Sequence, residues 1–247
     1  MHASLGEPPE RRARHLRPAG FRILTLSPND PELLATLRSW DALGASLLEA
    51  GAGRGTRLQL EDSRRIVGEL TRVLGGEEEG EGAPAERIVR AAMAGGRVQA
   101  IATLFLCRRA AFIELLATAP WNLLGNDPPD PRAVRGAGRA LVAHASALAS
   151  AARAGGRVAL QAENPRCVEF YLRLGFARMC PSDAPLALIP RGEKGWSPGV
   201  LRLARGAPGP DERRAPWMLL DPGRLQPTGA RAARFLAAAS TLAAEGR

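Results

Sequence analysis

Four features of the sequence have the residue types and spacing to do chemistry. Arg135-Gly136-Ala137-Gly138-Arg139-Ala140 is a glycine turn that opens onto a run of helix-forming residues. A helix start leaves several backbone N–H groups without intrahelical partners, and glycine there lets a ligand approach the backbone closely. Such a turn suits a pyrophosphate, and Arg135 and Arg139 add positive charge. Glu114 stands between Ile113 and Leu115 in an apolar run, where an ionisable side chain is out of pattern. A carboxylate there could accept a proton, face solvent, or pair with an arginine. Tyr171 is the only tyrosine, beside Phe170 and close to Phe176, and is either a proton-donating phenol or a core aromatic. Asn164, just before Pro165, ends a short β-like run.

Composition removes several other chemistries. The 247 residues carry 34 basic and 25 acidic side chains, a net charge of +9, and Lys194 is the only lysine. Lys194 follows Glu193 and lacks a glycine-lysine context, which excludes a phosphate loop of the Walker type. Cys107, Cys167 and Cys180 are odd in number and have no CxxC spacing, so neither a disulfide framework nor a zinc site is expected. His2, His15 and His144 are scattered, and no metal is expected. His144 reads as a packed or surface histidine, and the cysteines have no partner pattern for covalent acyl transfer. No apolar run has the length of a membrane span, and residues 1–20 are rich in Arg and Pro without an apolar stretch, so we expect a disordered basic tail and a cytoplasmic protein. The basic balance leaves nucleic-acid binding as a lesser alternative to simple compositional bias.

The elements that must position these residues follow from periodicity. Phe21 to Leu26 alternates as a strand. Asp30 and Pro31 open a helix that runs to about Ala50, Gly51 to Gly55 breaks it, and a second helix covers about Leu60 to Leu74. The Gly- and Glu-rich stretch from Gly75 to Ala85 is a loop. Glu86 to Met93, Arg97 to Cys107 and Ala110 to Thr118 form an antiparallel meander, with turns at Gly95-Gly96 and Arg108-Arg109. After a loop rich in Pro, Asn and Asp, a helix of small residues spans about Gly138 to Ala154. A strand from Arg157 to Ala162 and a helix from Arg166 to Leu174 follow, the helix stopped by Gly175. Beyond Met179 the pattern weakens, with candidate strands at Leu186 to Ile189, Val200 to Leu203 and Trp217 to Leu220. Thr228 caps a final Ala-rich helix to about Glu245.

Gly136-Ala137-Gly138 also begins a dinucleotide-binding fingerprint. Against that, Leu141 stands where the third small residue is needed, and prolines rather than a strand precede the turn.

Taken together, the motifs resemble the GNAT superfamily of acyl-CoA-dependent N-acetyltransferases. Arg135-x-x-Gly138-x-Ala140 is similar to that family's pyrophosphate signature, Leu116 to Pro120 to the segment that ends its fourth strand, and Asn164 with Tyr171-x-x-x-Gly175-Phe176 to its second signature. The resemblance covers about Arg97 to Met179, and more loosely the first strand and two helices. It implies an α+β fold: a mixed, mostly antiparallel central sheet flanked by helices, with a splayed strand pair for acyl-CoA. One domain over 21–222 is expected, with an inserted loop at 120–134, an irregular segment at 181–215, and a C-terminal helix in 223–247. The inserted loop and the long Pro- and Gly-rich closing segment depart from the family pattern.

The resemblance implies acetyl-CoA as co-substrate, with no metal. Backbone groups of Leu116, Ala117 and Thr118 would pair with the pantetheine arm, Gly136 to Ala140 with Arg135 and Arg139 would hold the pyrophosphate, and Asn164 would contact the cofactor. Tyr171 falls on the family's acid position and Glu114 is the candidate base. The partner implied is an amine acceptor, for a monomer or homodimer without a membrane. The alternative on the same fold is a catalytically silent acyl-CoA sensor or interaction module.

Overall fold

In the computed structural model of the chain, the described residues are 20–76, 87–124, 130–188, 201 and 215–224. The expected basic tail, the Glu-rich part of the acidic loop, Lys194, the candidate strand at 200–203 apart from Leu201, and the C-terminal helix lie outside them.

Strand β1 (Arg22–Leu26) leads into helices α1 (Pro31–Glu49) and α2 (Arg54–Leu74). The Asp30 carboxylate caps α1, accepting from the N–H groups of Glu32 and Leu33 at 2.9 and 3.4 Å, and Pro31 supplies a pre-set first turn. A cap of this kind is worth about 1 kcal/mol. Helix α2 begins earlier than the pattern suggests. Gly55 lies inside its first turn rather than in the break, because Gly53 is the cap and a first turn tolerates glycine.

Strands β2 (Ile88–Ala94), β3 (Arg97–Leu106) and β4 (Ala111–Thr118) form the expected antiparallel meander. Helix α3 (Ala137–Ala151) then crosses to β5 (Val158–Gln161), followed by α4 (Pro165–Arg173), the two-residue β6 (Ala177–Arg178) and β7 (Trp217–Leu220). The seven strands are ordered β1-β2-β3-β4-β5-β7-β6. Every pairing is antiparallel except β4 with β5. The α+β architecture and mostly antiparallel sheet expected from the sequence are therefore present. The run expected as a strand at 186–189 is different: Ala184–Ala187 is a helical turn, α5. Ala184 and Ala187, three residues apart, both pack into a cluster with Ala159 and Leu219 of the sheet, which a strand could not arrange.

Two layers cover the sheet. On one face, Leu33, Leu37 and Trp40 of α1 and Val67, Leu70 and Leu74 of α2 pack on Val89, Ala91, Ile101 and Ala117. On the other, Val142, Ala145 and Ala149 of α3 and Val168 and Tyr171 of α4 pack on Leu104, Ile113, Val158 and Leu160. The small residues of α3 let it lie close to Ala92, Ala100 and Ala102, where Ala137 and Leu141 fit. Each fully buried leucine in these layers contributes about 1.5–3 kcal/mol.

Candidate active site

The site is built where the sheet comes apart. Strand β4 pairs with β5 only through Ala111↔Val158, Phe112↔Ala159 and Ile113↔Leu160. Beyond Ile113, the edge of β4 that faces away from β3 has no strand partner among the described residues. The Ala119 N–H donates to the Gln99 carbonyl on β3 at 3.0 Å. Strand alternation then turns the backbone groups of Ala117 towards β3 and those of Leu116 and Thr118 towards the open edge. Leu116 and Thr118 thus present N–H and C=O groups where an extended ligand could add as a strand.

The glycine turn closes one end of this opening. Gly136 caps α3 with φ +105°, a left-handed conformation that favours glycine, and no side chain caps the helix. The first turn of α3 holds no acidic residue, and Arg135 and Arg139 flank it, both exposed. Positive charge at the positive end of a helix is unfavourable unless an anion completes it. A side chain on Gly138 would begin 3.4 Å from Leu116 Cδ2 and 3.7 Å from Thr118 Cγ2 and Phe170 Cζ, so β4, α3 and α4 converge there. Ala137 and Gly138 are buried and Ala140 is half-buried.

Helix α4 forms the other wall. Asn164 is its cap: Oδ1 accepts from the N–H groups of Arg166 and Cys167, each at 3.0 Å. The Asn164 amide also donates to Asp62 Oδ2 of α2 at 2.8 Å. Arg65 of α2 pairs with Glu163 at 2.5 Å, and Arg166 reaches the Gly55 carbonyl at 3.4 Å. The N-terminal half of α2 is thereby clasped to the turn between β5 and α4. Tyr171 lies one turn after Cys167, its ring 5.1 Å from Phe170 and 5.2 Å from Phe176. Its ring is buried, and its hydroxyl, which is not one of the fully buried unpartnered atoms, makes no hydrogen bond among the described residues. Burial first, then Cys167 and Glu163, raises its pKa, which keeps it protonated as a donor at neutral pH.

Glu114 is the extra residue of a β-bulge, because Ile113 faces Leu104 while Leu115 faces Thr103. Its carboxylate is gripped from two sides. Arg87 donates through Nε to Oε2 at 2.9 Å and through a terminal nitrogen to Oε1 at 3.0 Å, and Thr103 donates to Oε2 at 3.0 Å. Of the alternatives open in the sequence, the structure places Glu114 in an arginine pair. Its partner Thr103 faces the α1–α2 side of the sheet, whereas Tyr171 packs on the α3 side.

His144 accepts from Arg90 Nε at 3.1 Å through Nε2. Burial first, then the Arg90 charge, lowers its pKa to about 4, so it is neutral and occupied. Burial raises the thiol of Cys107 to about 11, and burial with Asp62 and Glu163 raises that of Cys167. Neither is an activated nucleophile. No group of three His, Cys, Asp or Glu residues is placed to hold a metal among the described residues, and none of their helices is long and apolar enough to cross a membrane.

Sequence reasoning missed three residues. Gln99, at a second bulge, holds the inserted loop through its side chain. Asp62 faces Asn164, and Ser63 is a buried hydroxyl without a partner. Ser63 had a visible signal, since it occupies a core position between Leu60 and Val67.

No family model matches the chain, and no curated protein sequence does. Solved structures similar to it include acetyltransferases. One is a Bacillus subtilis acetyltransferase in complex with CoA, at 17% identity, covering 82% of this chain and 99% of that one with a TM-score of 0.37. Another is an aminoglycoside 6'-acetyltransferase type Ii, at 15% identity, 81% and 96% coverage and a TM-score of 0.41. A third is an acetyltransferase from Streptococcus agalactiae, at 16% identity, 81% and 97% coverage and a TM-score of 0.42.

Proposed function

We propose that the protein is an N-acetyltransferase that moves an acetyl group from acetyl-CoA to an amine by direct transfer. One observation carries this. The uncapped start of α3, with Arg135 and Arg139 beside it, meets the unpaired edge of β4 at Gly138. The two features suit the two ends of one ligand: an anionic pyrophosphate at the helix start and an amide-bearing arm along the strand edge. The sequence motifs resembling the GNAT superfamily fall on these same residues, which supports the reading.

Acetyl-CoA supplies a thioester, whose carbonyl carbon is open to attack by a neutral amine. In this reading the N–H groups from Gly136 to Ala140 and the two arginines bind the pyrophosphate. The backbone of Leu116 and Thr118 aligns the arm, and an N–H there stabilises the developing oxyanion. Ala117 and Asn164 shape the walls, Ala117 through the sheet and Asn164 by fixing the start of α4. Tyr171 gives its proton to the departing sulfur and is restored by the proton that the nitrogen sheds on becoming an amide.

A second reading is a silent acyl-CoA sensor, and the engagement of both Glu114 oxygens by Arg87 and Thr103 favours it. Calorimetry with acetyl-CoA tests what the two readings share. The wild type binds, and Gly138→Glu or Arg135→Glu weakens binding by at least about tenfold, since each puts negative charge against the pyrophosphate. Absence of binding by the wild type at millimolar acetyl-CoA refutes both. Product formation with an amine then separates enzyme from sensor.

A further inference from the structure

We infer that Asn122, in the inserted loop, is a positioning residue for the cofactor: its side chain ties the end of β4 to the approach of the glycine turn and holds that turn ready for the pyrophosphate of acetyl-CoA. This rests on the acetyltransferase reading and gives a task to the loop that departs from the family pattern.

The need for a tie follows from the connection itself. Strand β4 ends at Thr118 and α3 begins at Ala137. A long connection costs little entropy to close, but its length does nothing to fix the chain at either end. Packing fixes α3, because Ala137 and Leu141 sit in one cluster with Ala92, Ala100 and Ala102. The residues just ahead of the helix are held less firmly: Val134 is half-buried, and Arg135 and Gly136 are exposed. Gly136 is also the residue with φ +105°, and a glycine without restraint samples more backbone conformations than any other residue.

Among the described residues, one hydrogen bond ties residues 134–136 to an element other than α3. The Val134 N–H donates to Asn122 Oδ1 at 2.9 Å, across 12 positions of sequence. The next residue is Arg135, and the one after it opens the run of helix-start N–H groups. The brace therefore acts on the anionic end of the cofactor.

Asn122 can transmit a position because it is itself held. Its own N–H donates to the Ala119 carbonyl at 2.9 Å, which closes the short turn Pro120–Asn122. Its Nδ2 donates to the Gln99 backbone oxygen at 3.2 Å and to Gln99 Oε1 at 3.0 Å. The same Gln99 backbone oxygen accepts from the Ala119 N–H at 3.0 Å, just beyond the last residue of β4. A single carbonyl of β3 thus anchors both the end of the open strand edge and the side chain that holds Val134. Only an amide does this at that size, since it donates to the sheet and accepts from the turn. A carboxylate lacks the donor and an aliphatic side chain lacks both groups. The edge of β4 itself depends on its ladder with β3 and not on Asn122. Loss of Asn122 should therefore be felt at the pyrophosphate and not along the arm.

The test compares wild type with Asn122→Ala, Asn122→Gln and Trp121→Phe. Calorimetry measures acetyl-CoA, and competition measures its two halves, ADP for the pyrophosphate end and S-acetylpantetheine for the arm. Asn122→Ala should weaken acetyl-CoA and ADP by a similar factor, about five- to twentyfold, because the unbraced residues 134–136 must then be ordered by the ligand. S-acetylpantetheine should stay within about twofold of wild type. With any amine that the wild type acetylates, the KM for acetyl-CoA should rise by about the same factor while kcat is not reduced. A purely structural role lowers thermal stability without this split between the halves. Asn122→Gln keeps both groups on a longer arm and serves where the alanine variant does not fold. It should show the same pattern, because a misplacement of about 1 Å is costly for a positioning group. Trp121→Phe is the control: it removes the indole hydrogen bond to Gln99 Oε1 and leaves both bonds of the Asn122 amide. It should lower stability and leave all three affinities within about twofold.

A folded Asn122 variant that binds acetyl-CoA and ADP within about twofold of wild type overturns the inference. Equal weakening of ADP and S-acetylpantetheine overturns it too, as the mark of a general loosening of the fold. If Trp121→Phe loses as much ADP affinity as Asn122→Ala, the loop acts through its packing and the assignment to Asn122 falls. In each of these cases the cofactor reading stands, whereas a wild type that does not bind acetyl-CoA overturns the reading beneath.

Discussion

Gln99 holds Trp121 through a single buried hydrogen bond: Oε1 accepts the indole N–H at 3.0 Å, and Gln99 is 1% exposed. The β-bulge explains why a polar side chain is buried mid-strand. Ala100 faces Ala92 while Val98 faces Met93, so Gln99 is the extra residue of β3 and is turned out of the ladder. Its other contacts fix both ends of the inserted loop. Oε1 also accepts from Asn122, and Nε2 donates to the carbonyls of Ala94 and Arg132. Asn122 in turn accepts from the Val134 N–H at 2.9 Å, next to Arg135. Trp121 is packed edge-on against Trp40 at 6.1 Å, with Arg132 over its ring. The inserted loop therefore braces the glycine turn.

Gln99→Leu should lower stability by about 2–4 kcal/mol, because several buried donors and acceptors lose partners at once. Urea unfolding measures it. A loss under about 0.5 kcal/mol would mean that the loop is held by ring packing alone. Acetyl-CoA affinity should fall with stability, since Val134 and Arg135 lose their anchor.

The sequence shows the meander and the glycine turn because each is local: strand period in the one, closely spaced glycines before a run of helix formers in the other. Partners contributed by distant segments are less visible. Glu114 is conspicuous as a carboxylate among apolar neighbours, yet its meaning depends on Arg87, 27 residues away, and on a bulge that breaks strand alternation. Asp62 looks like one more polar residue on an amphipathic helix until Asn164, 102 residues later, is placed against it. The motifs around Arg135 and Tyr171 lie in short local segments, whereas the contacts of Glu114 and Asp62 join elements far apart in the chain.

Tyr171→Phe separates chemistry from folding with little ambiguity. The hydroxyl has no partner among the described residues, while the ring contacts with Phe170 and Phe176 survive the change. Thermal unfolding should move by less than about 0.5 kcal/mol, as for substitutions that break no contact. Acetyl-CoA binding should be unchanged, and kcat should fall by about 10²-fold if the phenol protonates the leaving sulfur. Turnover equal to wild type would remove Tyr171 from the reaction.

Glu114→Gln probes the opposite case, a conspicuous carboxylate with a structural partner. The Arg87 pair is only about one-fifth exposed, at 22% and 23%. Removing the charge while keeping an acceptor for Thr103 should cost about 1–3 kcal/mol, less than emptying a fully buried pair. Denaturant unfolding measures that cost. Turnover of an amine should stay within about threefold of wild type, and a loss of about 10²-fold or more with folding intact would give the role of base to Glu114.

His144 gives a stability change whose sign follows from linkage. Its pKa is lowered to about 4, by burial first and then by the Arg90 charge, from an ordinary 6.5. Between these values the unfolded chain binds more protons than the folded one, so stability falls as the pH drops through this window. The contribution is complete above about pH 6.5 and fully lost below about pH 4, amounting to roughly 1–3 kcal/mol after allowing for solvent screening. Other carboxylates titrate nearby, so a difference measurement is needed. His144→Gln cannot take up a proton but keeps an oxygen that can accept from Arg90. Its Tm should fall less steeply than that of wild type from pH 6.5 to pH 4, with the curves converging in shape near neutrality. Parallel Tm curves across the whole window would mean that His144 is free to ionise in the folded protein and that Arg90 does not hold it neutral.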